Sequence, residues 1–405
     1  MTEAAQKKWG FIVKAATLSI IILEYSISLT TPVLGAIAAA FPNVSPELIK
    51  QVQSMPSLTM IPVALLVGQI EKVMKKRTML MLAILFLFVG GIAPAFGGDI
   101  YFILVCRAIF GMGRGIVFPF AMSFIIDLFD GQERNVLMGL RSTTGSVAGI
   151  VFQQVGGFLA TINWRTSFWG FLMTIPFILL IYFKLPEPEK KAHVDAERGR
   201  VKARLTGKTW LLIALNFILM FFAYTFITNM AIVINSEKIG TPHSAANVMS
   251  TFVASSSVCG LLFGKFIKPL LKRYTAAIGA MSIGAGIFVV NAASTLSMFF
   301  PGAILFGIGF SIYNTDMYLK LGDSADRSAA AKALSTHMAF NALSHFASPI
   351  VIAFLAGVLS LSGAKAGWAI SGPVLIAGGA VVLLVQVFVK PGNNQLDAGN
   401  NRLEA

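Results

Sequence analysis

An ionisable side chain inside a long apolar run costs about 2.5–3.5 kcal/mol to place in a bilayer, so each one in this sequence asks for a task. Glu24 stands midway along the apolar run 11–37, with Thr17, Ser28 and Thr31 on the same helical face. A single central carboxyl on a polar stripe is a candidate proton acceptor. The plain alternative is a structural carboxyl held by an arginine. Arg107 and Arg114, seven residues apart in the run 100–126, share a face. Arg114 is placed to pair with Glu24 or to hold an anionic group of a substrate; snorkelling toward one end of the span is its plain alternative. His337, Asn341 and His345 follow at i, i+4 and i+8 in one stripe. Histidine titrates near neutral pH, so His337 is a proton-relay candidate. Two histidines eight residues apart on one helix lie more than about 10 Å apart and do not share a metal ion unaided.

The remaining intramembrane polar residues point to a binding cavity. Gln153 and Gln154 are adjacent, so at most one is expected to face inward; Gln153 is carried as a cavity candidate, and the sequence does not decide between the two. Tyr224 and Asn229 mark the seventh run, and Tyr313, Asn314 and Asp316 the tenth. Asp316 lies toward the basic end of its run and suits proton coupling or a gate. There is no nucleotide-binding loop, no Ser-His-Asp arrangement and no Cys-His cluster. These residues therefore speak for a carrier driven by a gradient, the proton gradient above all, with no cofactor, no metal and no enzymatic chemistry.

The elements that must position these residues are membrane spans. Of 405 residues, 56% are hydrophobic and only 12% charged, about half the charged fraction of a soluble domain. Mean hydropathy is +0.76. The apolar residues come in runs long enough to cross a bilayer, predicted at 11–37, 46–70, 78–97, 100–126, 138–162, 167–184, 209–234, 245–267, 275–296, 298–319, 331–358 and 367–389. The first run is too long for a signal peptide and is expected to remain as a span. The net charge of +14 sits in short loops rather than on one face, which argues against nucleic-acid binding. Segments on one side hold 25 Lys and Arg and those on the other hold 4. By the positive-inside rule both termini are cytoplasmic, and the plasma membrane is the expected location. Cys106 and Cys259 fall inside apolar runs and read as packing residues.

Two patches repeat at one offset. Phe110, Gly111 and Gly113 recur 196 residues later as Phe306, Gly307 and Gly309; Gly68, Lys72, Lys76 and Arg77 recur as Gly264, Lys268, Lys272 and Arg273. The charged segment 185–208 divides the chain near its middle and reads as a cytoplasmic linker, partly helical on the membrane surface. The expected fold is all-α: twelve transmembrane helices in two pseudo-symmetric six-helix halves around a central cavity. The halves are 1–184 and 209–390, with a cytoplasmic tail at 391–405.

Three features resemble the major facilitator superfamily. The loop Gly68, Glu71, Lys72, Lys75, Lys76 and Arg77 resembles its loop motif, with Glu71 for the usual Asp, Met74 where Gly is common and Gly68 displaced by one. Arg107, Gly111 and Gly113 resemble its fourth-helix motif. Glu133 and Arg134, then Gly156, Gly157, Trp164 and Arg165, resemble the region around its fifth helix. The resemblance implies alternating access, a role for Arg107 in coupling or substrate contact, and a cytoplasmic gate at Gly68, Glu71, Lys72, Lys76 and Arg77. The first half is similar to drug and metabolite:proton antiporters, although the Gly-Pro stretch expected in the fifth helix is absent at Gly145–Gly149. The leading expectation is proton-coupled efflux of small drug-like or metabolite solutes by a monomer in the lipid bilayer. The alternatives are uptake or exchange of a small organic anion, motivated by Arg107 and Arg114, and, more remotely, a non-transporting membrane receptor.

Overall fold

The computed structural model describes residues 9–188, 205–324 and 330–388. Among them there is helix and no strand. The long helices are α1 (Phe11–Ala40), α2 (Pro46–Ile70), α3 (Lys76–Phe96), α4 (Ile100–Leu128), α5 (Gly131–Ile162), α6 (Trp164–Lys184), α7 (Gly207–Ser236), α8 (Pro242–Leu262), α9 (Thr275–Ala292), α10 (Leu296–Ser324), α11 (Ala330–Val358) and α12 (Ala366–Phe388). Ten stretches among the described residues are long and apolar enough to cross a membrane. The stretch Pro242–Ala292 runs 51 residues as one and holds both α8 and α9. The chain reverses within it. α8 runs alongside α10 in the same direction, with Ser255 at Gly307 and Lys268 at Asp316, whereas α9 runs against it, with Gly279 at Tyr313 and Gly286 at Phe306. Lys272, at φ 48°, stands in the reversal. α2 falls outside the ten because Gln51, Gln53, Ser54, Ser57 and Thr59 dilute its apolar content.

Loop residues start the helices by satisfying their free N–H groups. Ser45 accepts from the Leu48 amide, Asp99 from Tyr101, Asn163 from Arg165 and Thr206 from Thr209. Thr241 and Ser244 form a reciprocal capping box. Glu187 reaches back to the start of α3 and accepts from the Lys76 and Arg77 amides at 2.9 and 3.0 Å. The segment 189–204, most of the expected linker, and the tail 391–405 lie outside the described residues.

Close glycine contacts let α4 and α10 lie deep in the bundle. A Cβ on Gly111 would meet the Pro56 carbonyl of α2 at 2.4 Å, and one on Gly113 the Ala83 carbonyl of α3 at 2.5 Å. Gly307 and Gly309 make close contacts of the same kind with Phe252 of α8 and Ile283 of α9. Aromatic rings fill the remaining core: Phe110 packs edge-on to Phe171, and Phe226 stacks on Phe306 with centroids 3.9 Å apart. Large apolar side chains such as Val105, Leu261, Phe266 and Phe354 are instead exposed on the outside, far more than a water-facing surface carries.

Helix starts and ends gather at two ends of the bundle. At the basic end Trp9 donates to the Leu128 carbonyl, Lys14 pairs with Glu133 at 2.9 Å, and Thr209 donates to the Ser324 carbonyl. At the opposite end Arg165 donates to the Gly97 carbonyl, and Lys365 pairs with Glu237 at 2.6 Å. Helices α1–α6 and α7–α12 meet along three seams: α1 with α7, α5 with α8, and α2 with α11.

α1 departs from the uniform helix expected. Ser26–Val33 is a 3₁₀ segment. Pro32 has no N–H to continue the α-helical ladder, and the Ser26 hydroxyl donates to the Leu23 carbonyl three residues back. Each 3₁₀ residue turns about 20° more than an α-helical one, so the face carrying Thr17 and Glu24 does not continue into Ser28 and Thr31. Thr17 donates to its own backbone at Val13 and is fully buried.

Candidate substrate cavity and adjacent ionisable groups

A cavity of about 290 Å³ lies between the two groups of helices. Of the candidates named from sequence, Ser28, Thr31, Arg114, Gln153, Tyr224 and His345 line it, beside Tyr25, Gln53, Ser57, Ser146, Ser256 and Ser257. Met249, Phe252, Val253 and Phe310 supply an apolar wall. The His345 ring stacks on Tyr224 with centroids 4.2 Å apart and planes 9° from parallel, forming a flat aromatic shelf between α7 and α11. The lining contains no Asp or Glu. Arg114 is its one formal cation, and the buried Nε of Arg114 has no hydrogen-bond partner among the described residues.

Glu24 is not among the lining residues; it is 4% exposed and lies within electrostatic reach of the lining residue Arg114. Its nearest basic partner is Arg141 of α5, at 3.9 Å. Arg141 is not among the candidates read from sequence although the predicted span 138–162 contains it; in α5, which begins at Gly131, it lies well inside the helix. Gly145 and Gly149 bring α5 against Tyr25, which positions Arg141 one turn away beside Glu24.

Arg107 does not reach the cavity. It is fully buried, with Nε on the Val52 carbonyl at 3.1 Å, Nη2 on the Thr30 hydroxyl at 3.4 Å, and its guanidinium over the Phe110 ring. Thr30 donates to Gln53 at 2.8 Å, and the Gln53 amide donates to Thr31 on the cavity wall. Arg107 thus braces α1, α2 and α4 and connects to the cavity through Thr30, Gln53 and Thr31. Gln53 and Ser57, an i, i+4 pair on α2, were missed from the sequence although that spacing signals a polar face.

Several other candidates lie elsewhere. Asn229 is buried behind Gly367 of α12, and neither end of its amide has a hydrogen-bond partner among the described residues. Tyr313 faces a separate apolar pocket. Asn314 donates to the Phe310 carbonyl of its own helix, and Asn341 is absent from the cavity lining. A helical stripe has two edges, and these residues fall on the edge that meets scaffold helices. His337 packs edge-on to Tyr318 nearer the basic end. Gln153 and Gln154 both reach across the α5–α8 seam to Ser250, at 3.2 and 2.9 Å, and of the two only Gln153 is in the cavity lining.

The basic end carries two ion-pair clusters. In the first, Lys76 pairs with Asp127 at 2.5 Å and Glu71 at 3.6 Å and donates to Ser123, while Arg77 donates to the Tyr182 carbonyl. Lys72 and Gly68 are exposed. In the second, Asp316, fully buried, pairs with Lys268 and with Lys320. Asp316 is therefore a basic-end anchor, remote from the cavity lining. Among the described residues no group of three or more His, Cys, Asp and Glu side chains is placed to hold a metal ion.

A multi-pass helical membrane protein with a polar cavity between two groups of helices has the form of a solute carrier. The chain belongs to the Major Facilitator Superfamily, whose sequence profile matches residues 16–349. This is a family of transporters and not of enzymes. Residues of the chain are 23% identical over 168 positions to the multidrug transporter protein MdtP of Bacillus subtilis, covering 40% of this chain and 30% of that one. They are 25% identical over 224 positions to the MFS transporter L2 of Phoma sp., covering 52% and 34%. The matched region thus spans about a third of these relatives' own length. Among solved structures, the fold is similar to that of a bacterial homologue of the human lysosomal transporter Spinster, with 17% identity, 92% of both chains covered and a TM-score of 0.68. It is also similar to the xylose transporter XylE of E. coli, with 14% identity, 94% and 98% covered and a TM-score of 0.69.

Proposed function

We propose that this protein is a secondary transporter that moves small solutes by alternating access and couples that movement to protons at Glu24. The single observation that carries the reading is the polar cavity between the helix groups, whose lining cation Arg114 lies within electrostatic reach of the buried Glu24. Twelve crossings fit the fold once α2 and the reversal between α8 and α9 are counted with the ten apolar stretches. On this reading 1–184 and 209–390 are the two halves, joined by the linker 185–208, and both termini are cytoplasmic in a monomer of the plasma membrane. The basic end then faces the cytoplasm. Three seams run from the cavity to the other end: Gly35 on Ala231, Gly157 on Ala246, and Gln51 donating to the Phe346 carbonyl. They support a state closed to the outside, in which Lys76 with Asp127 and Lys268 with Asp316 stiffen the cytoplasmic ends of each half.

Efflux of drug-like or metabolite solutes is the leading direction, and the multidrug relatives support it. A second reading, movement of a small organic anion, is favoured by Arg114 in a lining without carboxylates. Purified protein screened by thermal shift against matched cationic, neutral and anionic solutes, then assayed for flux in proteoliposomes, tests both. Flux of a stabilising solute that ignores an imposed pH gradient would sink the proton coupling.

A further inference from the structure

A second pocket, also about 290 Å³, lies outside the transport pathway, enclosed by α7, α9, α10 and α12. Its walls are apolar. Leu212, Leu215, Leu219 and Phe222 of α7 face Ala276, Ala277 and Ala280 of α9 across it. Gly378 of α12 lines the pocket, and a Cβ there would meet nothing within 4 Å, so the space is real room and not a crevice between touching side chains. Leu215, Ile218, Val374 and Val382 line it and are also exposed on the outer surface, which opens the pocket sideways toward the bilayer. Along α12 it extends from Val374 to Gln386, about 18 Å at 1.5 Å per residue. One leaflet of hydrocarbon is about 15 Å deep.

The two groups of helices differ here. The space left by α1, α3 and α6, near Ile84, Phe88 and Phe171, is only about 10 Å³. An empty slot is therefore not a necessity of the fold. The polar lining residues stand at the basic end. Lys320 is four residues from the end of α10 at Ser324, and Gln386 two from the end of α12 at Phe388. Lys320 shares the Asp316 carboxylate with Lys268, so two ammonium groups meet one carboxylate and one positive charge remains. The Gln386 Oε1 atom is buried and has no donor among the described residues.

We propose that this slot is a binding site for one anionic phospholipid of the leaflet at the basic end. An acyl chain fills the apolar length, the phosphate meets the excess charge at Lys320, and a headgroup hydroxyl donates to Gln386. Basic pockets between membrane helices hold anionic headgroups on the same physical terms. The site is independent of the transport reading and of the solute carried.

The test is native mass spectrometry of the whole chain extracted from nanodiscs of equimolar palmitoyl-oleoyl phosphatidylglycerol and phosphatidylcholine. Wild type should retain one phosphatidylglycerol per chain, preferred about fivefold over phosphatidylcholine, the ratio expected for about one lysine contact. Gly378→Leu should fill the slot and lower occupancy about tenfold, with Leu215→Trp on the exposed rim as a second way to block it should the first variant not fold. Lys320→Gln should keep a bound lipid and lose the headgroup preference. No retained lipid on wild type, equal retention by the slot-filling variant, or an unchanged preference in Lys320→Gln would each overturn the proposal.

Discussion

The Glu24 carboxylate and the Arg141 guanidinium stand 3.9 Å apart, close enough to be counter-ions and too far to share a hydrogen bond. The Oε2 atom of Glu24 is buried and accepts no hydrogen bond among the described residues. A carboxyl fixed as a structural strut would be expected to hold its arginine at hydrogen-bond distance. This one is next to an arginine yet keeps an open acceptor within electrostatic reach of the lining residue Arg114, which supports the proposal that its charge changes during transport.

Replacing Glu24 with Gln keeps the shape and removes the charge. Proton-driven flux should fall at least about tenfold, while counterflow of labelled against unlabelled solute, which needs no net proton movement, should persist. Both are measured in the same proteoliposomes. Full gradient-driven flux by the variant ends the case for Glu24 as proton acceptor.

Seam closure makes a different demand. A Cβ on Gly35 would lie 2.2 Å from the Ala231 carbonyl oxygen, so Gly35→Ala presses a methyl group into backbone that has little freedom to yield. Overpacking of this kind costs about 1–3 kcal/mol, and here it falls only on the state in which α1 and α7 touch. The population should move about 5- to 150-fold toward the state open at that end. A Ser28→Cys reporter in the cavity, labelled with a membrane-impermeant thiol reagent applied at that end, should react faster in the Gly35→Ala background. Equal labelling rates would show that the α1–α7 seam does not control access.

Segment 185–208 carries a dense basic charge and should be cut by protease only from the cytoplasmic side. Cleavage in right-side-out vesicles would reverse the assignment of both ends.

The spans were legible because apolar runs of this length have one physical meaning. The site was legible in part. Ser28, Thr31, Arg114, Gln153, Tyr224 and His345 reach the cavity because helical period groups residues on a face. Period alone does not say what that face meets. Asn229 and Tyr313 lie on faces turned to α12 and α9, and only the packing of neighbouring helices decides that. Thr17 was misplaced because a 3₁₀ segment ending near Pro32 rotates everything beyond Tyr25. Arg141 lies inside the predicted span 138–162, but spacing along one helix does not say which residue of a neighbouring helix it meets. The sequence offers Arg114 as one possible partner of Glu24, and the structure places Arg141 at 3.9 Å instead.

That reassignment sharpens what Arg114 does. Asp127 is committed to Lys76, Asp316 to Lys268 and Lys320, and the nearest base to Glu24 is Arg141. Arg114 is left with a guanidinium on the cavity wall, no lining carboxylate, and a buried Nε without a partner. A cationic solute would meet repulsion there. An anionic one would gain a charge-assisted contact of about 1.5–3 kcal/mol, and the Tyr224–His345 shelf would hold a flat apolar portion of the same molecule. Protonating Glu24 removes a negative charge near this site, so proton and anion should favour each other's binding, a coupling that is reciprocal. Competition binding with carboxylate, amide and amine versions of one aromatic scaffold measures the preference. Wild type should prefer the carboxylate by about 10- to 100-fold, more so at low pH, and Arg114→Gln should lose that preference while Arg114→Lys retains part of it. A wild-type preference for the amine, or an undiminished carboxylate preference in Arg114→Gln, would rule out the anion reading and leave the drug-like efflux reading in place.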